Sequence, residues 1–368
     1  MSLRAKAVLC REVNQPVVVE EVIIEPPRHG EVTIKLAACG ICHSDVSAIN
    51  GTIVLPLPSI VGHEGAGVVV EVGSGVSSLA VGDHVLCTFA SMCGKCRYCV
   101  SGKPALCDQS YKTVATLPDG TTRTRDLAGN TVYALCGLGA MAEYATVSID
   151  NLVKIDPAMP LDKAALISCG VMTGVGAATN TAKVQAGSSA VVIGCGGVGL
   201  NTIQGCAIAG AGMIVAVDTS DFKLDLALKF GATHAINAAK DENVVKTIRK
   251  LTGGGADYSF ECIGYGKTVE QAYGVLRKGG VAVVVGVARP EETSSIRIRT
   301  LPFEEKSLIG SYYGSARPQL DFPRLIGLYQ GGKLKLDQLI TRTYSIEQAP
   351  QAFADLVEGK NARGVIVF

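Results

Sequence analysis

Apolar positions in the first part of the chain come in short runs separated by turn residues. Val17 to Ile24, Glu31 to Leu36 and Gly67 to Val72 are rich in β-branched residues and bounded by Gly or Pro. Runs of this length predict strands, so the span from Ala5 to about Val147 reads as a compact β-rich unit. After Leu161 the texture changes. Apolar runs at Ala190 to Ile193, Ile214 to Asp218, Tyr258 to Cys262 and Val281 to Val287 alternate with helical stretches, and strands alternating with helices predict an α/β fold with a parallel, doubly wound sheet. The helix opening near Asp221 places Leu224 and Leu228 one turn apart, facing the sheet, and stops at Gly231, where a left-handed cap costs little. Gly364 to Phe368 predicts a closing strand, and Asp108 to Gly129, rich in Thr, Asp and Gly, a surface loop. The apolar runs are too short, and too broken by glycine, for a membrane span.

Composition narrows the picture. A chain of 368 residues exceeds what one hydrophobic core usually serves, so two domains are expected. Lys plus Arg number 34 against 33 Asp plus Glu, a balance that leaves no electrostatic footprint for nucleic acid or an anionic membrane. A small neutral partner fits better. Met1 to Cys10 carries no secretory pattern, and thirteen cysteines in so long a chain are unlike a short disulfide scaffold, so a reducing cytoplasm is expected. Cys10, Cys39, Cys87, Cys136, Cys195, Cys206 and Cys262 mostly stand in apolar contexts and read as small buried hydrophobes.

The remaining cysteines carry candidate chemistry. Cys93, Cys96, Cys99 and Cys107 have the spacing C-x2-C-x2-C-x7-C, which suits four thiolates closed around one structural Zn²⁺. Cys42, His63 and Cys169 are dispersed. A mixed Cys and His set of three leaves one coordination position open for chemistry, yet lone Cys and His residues are as often packed core groups. Val191-Val192-Ile193-Gly194-Cys195-Gly196-Gly197-Val198-Gly199 puts G-x-G-x-x-G after an apolar strand and before a helix. Gly194 permits the tight turn, Gly196 lets backbone amides approach a pyrophosphate, and Gly199 allows close helix packing. Asp218, at the end of the next strand, can accept hydrogen bonds from ribose hydroxyls and would repel a 2′-phosphate, which favours NAD over NADP. Lys223 stands nearby as a candidate adenosine contact.

In their order along the chain, Gly40-Ile41-Cys42-His43-Ser44-Asp45, Gly62-His63-Glu64-Gly65-Ala66-Gly67, the four-cysteine cluster, Ser168-Cys169-Gly170 and the dinucleotide turn resemble the zinc-dependent medium-chain alcohol dehydrogenases. The resemblance spans nearly the whole chain. It implies a GroES-like catalytic domain at residues 1–170 and 312–368, a Rossmann NAD domain at 171–311, and two zinc ions per subunit. Cys42, His63 and Cys169 would hold the catalytic zinc, Cys93, Cys96, Cys99 and Cys107 the structural one, and Cys39 neither. The reaction implied is hydride transfer between a zinc-bound primary alcohol, or the corresponding aldehyde, and NAD.

The same matching implies further roles. Ser44 would take the alcohol's proton; many relatives pass it on through a histidine where this chain has Ser47, so its exit lies open between water and His43. Asp45 and Glu64 would orient and tune the catalytic ligands. His43, Arg363 and Thr173 would join Gly194, Gly196, Gly197, Val198, Gly199, Asp218 and Lys223 in holding NAD. Ile53, Phe89, Leu135, Val287 and Tyr312 would line an apolar substrate pocket favouring aliphatic or aromatic alcohols, and Ile53-Val54-Leu55 stands where relatives acting on a glutathione conjugate carry polar residues. A homodimer or homotetramer joined through the nucleotide sheets is implied, with Val281 to Val287 as a candidate edge. Two rivals are a zinc-free quinone or enoyl reductase, whose branch lacks the cysteine ligands, and a non-catalytic NAD-binding thiol sensor, which needs no complete catalytic set.

Overall fold

Burial alternates along Leu3–Cys10, where Ala5 and Ala7 are buried while Arg4 and Lys6 are exposed, the period-two signature of a strand with one wet face. In the computed structural model, which describes residues 1–368, this strand begins a small closed barrel with Val18–Ile24, Thr124–Arg125, Thr131–Ala134 and Ser59–Ile60. Beside it in the same unit lies a seven-stranded sheet whose long central strand, Glu31–Gly40, pairs with Glu64–Val72, Tyr144–Ser148 and the closing strand Arg363–Val367. Helix Ala349–Val357 buries Ala349, Ala352, Phe353 and Leu356 in the core of this sheet, a spacing that puts all four on one helical face.

The segment expected to be a surface loop does more than run over the surface. Within Asp108 to Gly129, Thr124–Arg125 is a barrel strand, and Arg123 is buried. Arg123 donates from Nε to Glu31 at 2.9 Å and also pairs with Asp119 at 2.6 Å. A fork of charge-assisted hydrogen bonds is what makes a buried guanidinium tolerable.

The other unit is built on six parallel strands in the order His234–Asn237, Met213–Asp218, Ser189–Ile193, Ala256–Glu261, Leu276–Val284, Ser307–Gly310. This is the doubly wound nucleotide-binding order, whose switch point lies between Ser189–Ile193 and Ala256–Glu261. The structure departs from the sequence expectation at two places. Leu228 is 44 % exposed, and Ala227 with Leu224 faces the sheet instead, because the packed face follows the i, i+3 positions. The apolar run at Val281 is not an edge: Leu276–Val284 is flanked on both sides, and the free edges are His234–Asn237 and Ser307–Gly310. Its apolar character reflects burial on both faces of a parallel sheet.

The chain divides into Met1–Cys169, Arg317–Gln330 and Leu336–Phe368 as one compact unit, and Gly170–Ala316 with Gly331–Lys335 as the other. Gln204 ties the short returning segment to the second unit, accepting from Lys335 N–H at 2.8 Å. No single helix is long and apolar enough to cross a membrane.

Candidate active site and metal centres

Cys42 leaves the end of the strand Glu31–Gly40 and starts the short helix His43–Ile49. His63 follows Gly62, whose φ of 94° is a backbone state that favours glycine, and it precedes the strand Glu64–Val72. Cys169 follows the turn Leu166–Ser168, which is tied back by Ser168 Oγ donating to Gly65 carbonyl at 3.2 Å. These three elements bring the ligand atoms of Cys42, His63, Glu64 and Cys169 within 4.8 Å of one another.

Asp45 organises the group. Its Oδ1 lies 3.0 Å from His63 Nδ1 and accepts Gly62 N–H at 2.9 Å, while Oδ2 accepts Cys42 N–H at 3.2 Å. With Nδ1 engaged, His63 presents Nε2 to the cluster, buried and without a hydrogen-bond partner. An orphaned imidazole nitrogen facing two thiols is the donor set a zinc ion satisfies. The charges are strongly linked. Hydrogen bonding from Cys169, with the nearby His63 charge adding to it, holds the Cys42 thiol well below its ordinary range, whereas Cys169 is pushed well above it by Cys42 and by burial. Burial disfavours charge on His63, but Asp45 and Cys42 outweigh it and raise its pKa. Burial pushes the Glu64 carboxyl up to about 7 against the opposing Arg363 charge.

Arg363 is buried and forms an ion pair with Glu64, so in this structure its charge is matched within the first unit. Gly40 makes room for that pair, since a Cβ there would run into the Glu64 carboxylate. Sequence alone assigns Gly40 no role; its place two residues before Cys42 is the available signal. Ser44 Oγ lies 3.8 Å from Cys42 Sγ, and Ser47 accepts Ile53 N–H through its carbonyl at 2.8 Å. His43 is exposed. Phe89 sets its ring edge-on to His63, with centroids 5.7 Å apart. Leu135 is buried and precedes Cys136, a residue with φ of 59° that feels the charges of His63, Asp45 and Cys42. Val287 and Tyr312 belong to the other unit and are 70 % and 44 % exposed.

The four clustered cysteines also converge, with their sulfur atoms within 4.8 Å of one another. Backbone amides aim at the sulfurs: Cys96 N–H to Cys93 Sγ at 3.3 Å, Cys93 N–H to Cys107 Sγ at 3.4 Å and Cys99 N–H to Cys96 Sγ at 3.5 Å. The Cys99 and Asp108 amides hold Cys96 down to about 6, while burial pushes Cys99 up to about 12. Amides directed at sulfur favour thiolates, which fits a tetrahedral thiolate-bound metal. None of the thirteen cysteines is in a disulfide.

In the second unit, Gly194 turns the chain at φ 92° after the strand Ser189–Ile193. A Cβ on Gly199 would strike the Gly194 carbonyl, whereas a Cβ on Gly196 would point into open space. That open face, at the N-terminus of helix Gly197–Ile208, is a cradle that a dinucleotide's phosphates fit. Gly197 and Val198 begin the helix. Asp218 accepts Cys195 N–H at 2.8 Å and Ser220 N–H at 3.0 Å. Thr173 is buried on helix Gly170–Gly176, which packs close to Gly197–Ile208 through Gly174. Lys223 is half-buried on Asp221–Lys229.

Comparison with known proteins agrees with this architecture. Residues 28–157 match the alcohol dehydrogenase GroES-like domain and residues 197–331 the zinc-binding dehydrogenase domain. The chain is 42 % identical to an NDMA-dependent alcohol dehydrogenase of Amycolatopsis methanolica, covering 99 % of both chains. It is 39 % identical to an S-(hydroxymethyl)glutathione dehydrogenase of Paracoccus denitrificans, covering 100 % of both. The crystal structure of benzyl alcohol dehydrogenase from Acinetobacter calcoaceticus superposes with a TM-score of 0.92 at 31 % identity, covering 100 % of this chain and 99 % of that one. The chain belongs to the zinc medium-chain alcohol dehydrogenase family and is an oxidoreductase of alcohols and aldehydes.

Proposed function

We propose that the protein oxidises primary alcohols and reduces the corresponding aldehydes with NAD, using one catalytic and one structural zinc ion per subunit. The observation that carries this reading is the buried set of Cys42, His63 and Cys169 with His63 Nε2 left unpartnered. Cys42, His63 and Cys169 would hold the catalytic zinc, and Cys93, Cys96, Cys99 and Cys107 the structural one. When bound, the zinc supplies Lewis acidity that makes an alcohol easier to deprotonate, and NAD supplies the hydride acceptor.

The chain's own residues do the rest. Asp45 holds the His63 ring in one orientation and one tautomer. Ser44 Oγ, beside Cys42, receives the alcohol proton. Ser47 offers no imidazole to carry that proton onward, so it passes to water or to His43. Asp218 would favour NAD, because a carboxylate accepts hydrogen bonds from ribose hydroxyls and repels a 2′-phosphate. Arg363 balances Glu64 and limits the net negative charge beside two thiolates.

Ile53, Phe89 and Leu135 would give an apolar lining, and neighbouring Val54 and Leu55 add no polar group. This supports aliphatic or aromatic alcohols over a glutathione conjugate. We also infer a homo-oligomer joined through the free edge Ser307–Gly310, beside which Phe303 is 73 % exposed, since an uncovered edge is a template for pairing. Two reduced thiol clusters suit the reducing cytoplasm.

The test is to mix the protein with NAD and benzyl alcohol, butanol or hydroxymethylglutathione, and follow NADH with and without a zinc chelator. The same assay is run with NDMA, named in the Amycolatopsis relative. Chelator-sensitive NADH from benzyl alcohol is expected. Turnover unaffected by chelation would point to the zinc-free reductase branch, no turnover of any alcohol to a sensor, and preference for hydroxymethylglutathione would overturn the substrate reading.

A further inference from the structure

The strand Ser189–Ile193, which delivers the glycine turn, has one neighbour on each side, and each neighbour ends in a carboxylate. Met213–Asp218 ends in Asp218, and Ala256–Glu261 ends in Glu261. Asp218 is half-exposed and grips the turn directly through Cys195 N–H. Glu261 is fully buried, at the switch point of the sheet. A buried carboxylate is costly unless its hydrogen bonds are well satisfied, so its place at the ligand-binding end of the sheet calls for a reason.

Glu261 Oε1 gathers three donors: Ile263 N–H at 2.9 Å, Gly264 N–H at 2.8 Å and Thr268 Oγ1 at 2.8 Å. Its Oε2 is buried with no partner. Its backbone carbonyl accepts both Val285 N–H at 2.8 Å and Gly286 N–H at 3.0 Å. One residue thus pins the loop from Cys262 to Thr268 and the exit of the adjoining strand Leu276–Val284. The loop places Ile263, 40 % exposed, against the turn: a Cβ on Gly194 would come within 2.5 Å of Ile263 Cγ1. Gly286 permits the loop's close approach, since its own Cβ would meet Gly264 N.

We propose that Glu261 is a positioning residue for nucleotide binding: it holds the Ile263 wall against Gly194 on one side of the phosphate turn, as Asp218 holds the other. Glu261 is too deeply buried to touch the ligand, and it acts through the loop it gathers. Three hydrogen bonds to one oxygen need an acceptor, not a charge, so glutamine preserves the device. Alanine leaves the Ile263 and Gly264 amides unsatisfied, while the Thr268 hydroxyl keeps the Tyr265 carbonyl at 2.8 Å, and frees the loop.

This inference rests on the NAD reading. The experiment is calorimetric titration of the full-length protein with NAD and with ADP-ribose, alongside thermal melting, for the wild type, Glu261→Ala, Glu261→Gln and Thr268→Val. Glu261→Ala is expected to weaken both ligands about tenfold or more, Thr268→Val about two- to fivefold, and Glu261→Gln less than about threefold despite a lower melting temperature. A folded Glu261→Ala protein binding within about twofold of wild type overturns the inference, as does Glu261→Gln binding as weakly as alanine. If Glu261→Ala does not fold, Thr268→Val decides, and unchanged affinity there overturns the inference. A wild type that binds neither ligand overturns the NAD reading and this inference together, whereas the variant outcomes strike the inference alone.

Discussion

The two cysteine clusters reach the same 4.8 Å spacing by opposite routes. Cys93 to Cys107 converge within one stretch of chain, through a four-residue helix, a short 3-10 turn and amides aimed at sulfur. Cys42, His63 and Cys169 come from three separated elements, and their convergence depends on the sheet core behind them and on Asp45. Local chain geometry builds the first cluster. The second needs the folded unit first, because its ligands meet only where the sheet and Asp45 hold their elements together.

This contrast is open to breaking. Cys42→Ser should lower alcohol oxidation about a thousandfold or more, because the metal's effect on the barrier amounts to several kcal/mol. Metal analysis should show one zinc lost, with a melting temperature within a few degrees of wild type. Cys96→Ser should do the reverse. Zinc binding contributes about 10–16 kcal/mol to the folding of small thiolate domains, so its melting temperature should fall by about 5–15 °C in calorimetry, while turnover per folded molecule stays within about threefold. Equal loss of activity in both variants would mean that the clusters are not separable.

Asp45→Asn sharpens the distinction, since it touches only the cluster assembled from afar. Affinity for the catalytic zinc should drop about 10- to 100-fold in chelator competition, with the four-cysteine site retaining its metal. Ser47→His should have the smallest effect, less than about fivefold on the maximal rate, while moving the pH dependence of hydride transfer by adding a base that titrates near neutrality. An unchanged pH profile would mean that this position lies off the proton route.

Much of this was legible in the sequence where the determinants are local. The four-cysteine spacing, the glycine turn with Asp218 and the strand-helix alternation are short-range patterns, and each maps to one element of the fold. Misplaced features came from neighbours that sequence spacing does not show. The run at Val281 reads as apolar whether a strand is an edge or an interior one, and only pairing with Ser307–Gly310 makes it interior. Leu228 follows the helical period loosely, and the sheet selects Ala227. Arg123 sits in a stretch of turn residues, and its burial depends on Glu31, a strand away.

The sequence by itself determined the family, through the resemblance its motifs carry, the succession of a β-rich region by an α/β region, and the identity of the candidate ligands, because motif spacing and periodicity are properties of the chain. Only the tertiary structure decided that Glu64 is matched by Arg363, that Gly40 must lack a side chain to admit that pair, and that Glu261 gathers the loop beside the glycine turn. Each of these joins groups brought together by packing, and burial gives their electrostatics and sterics a strength they would not have in water.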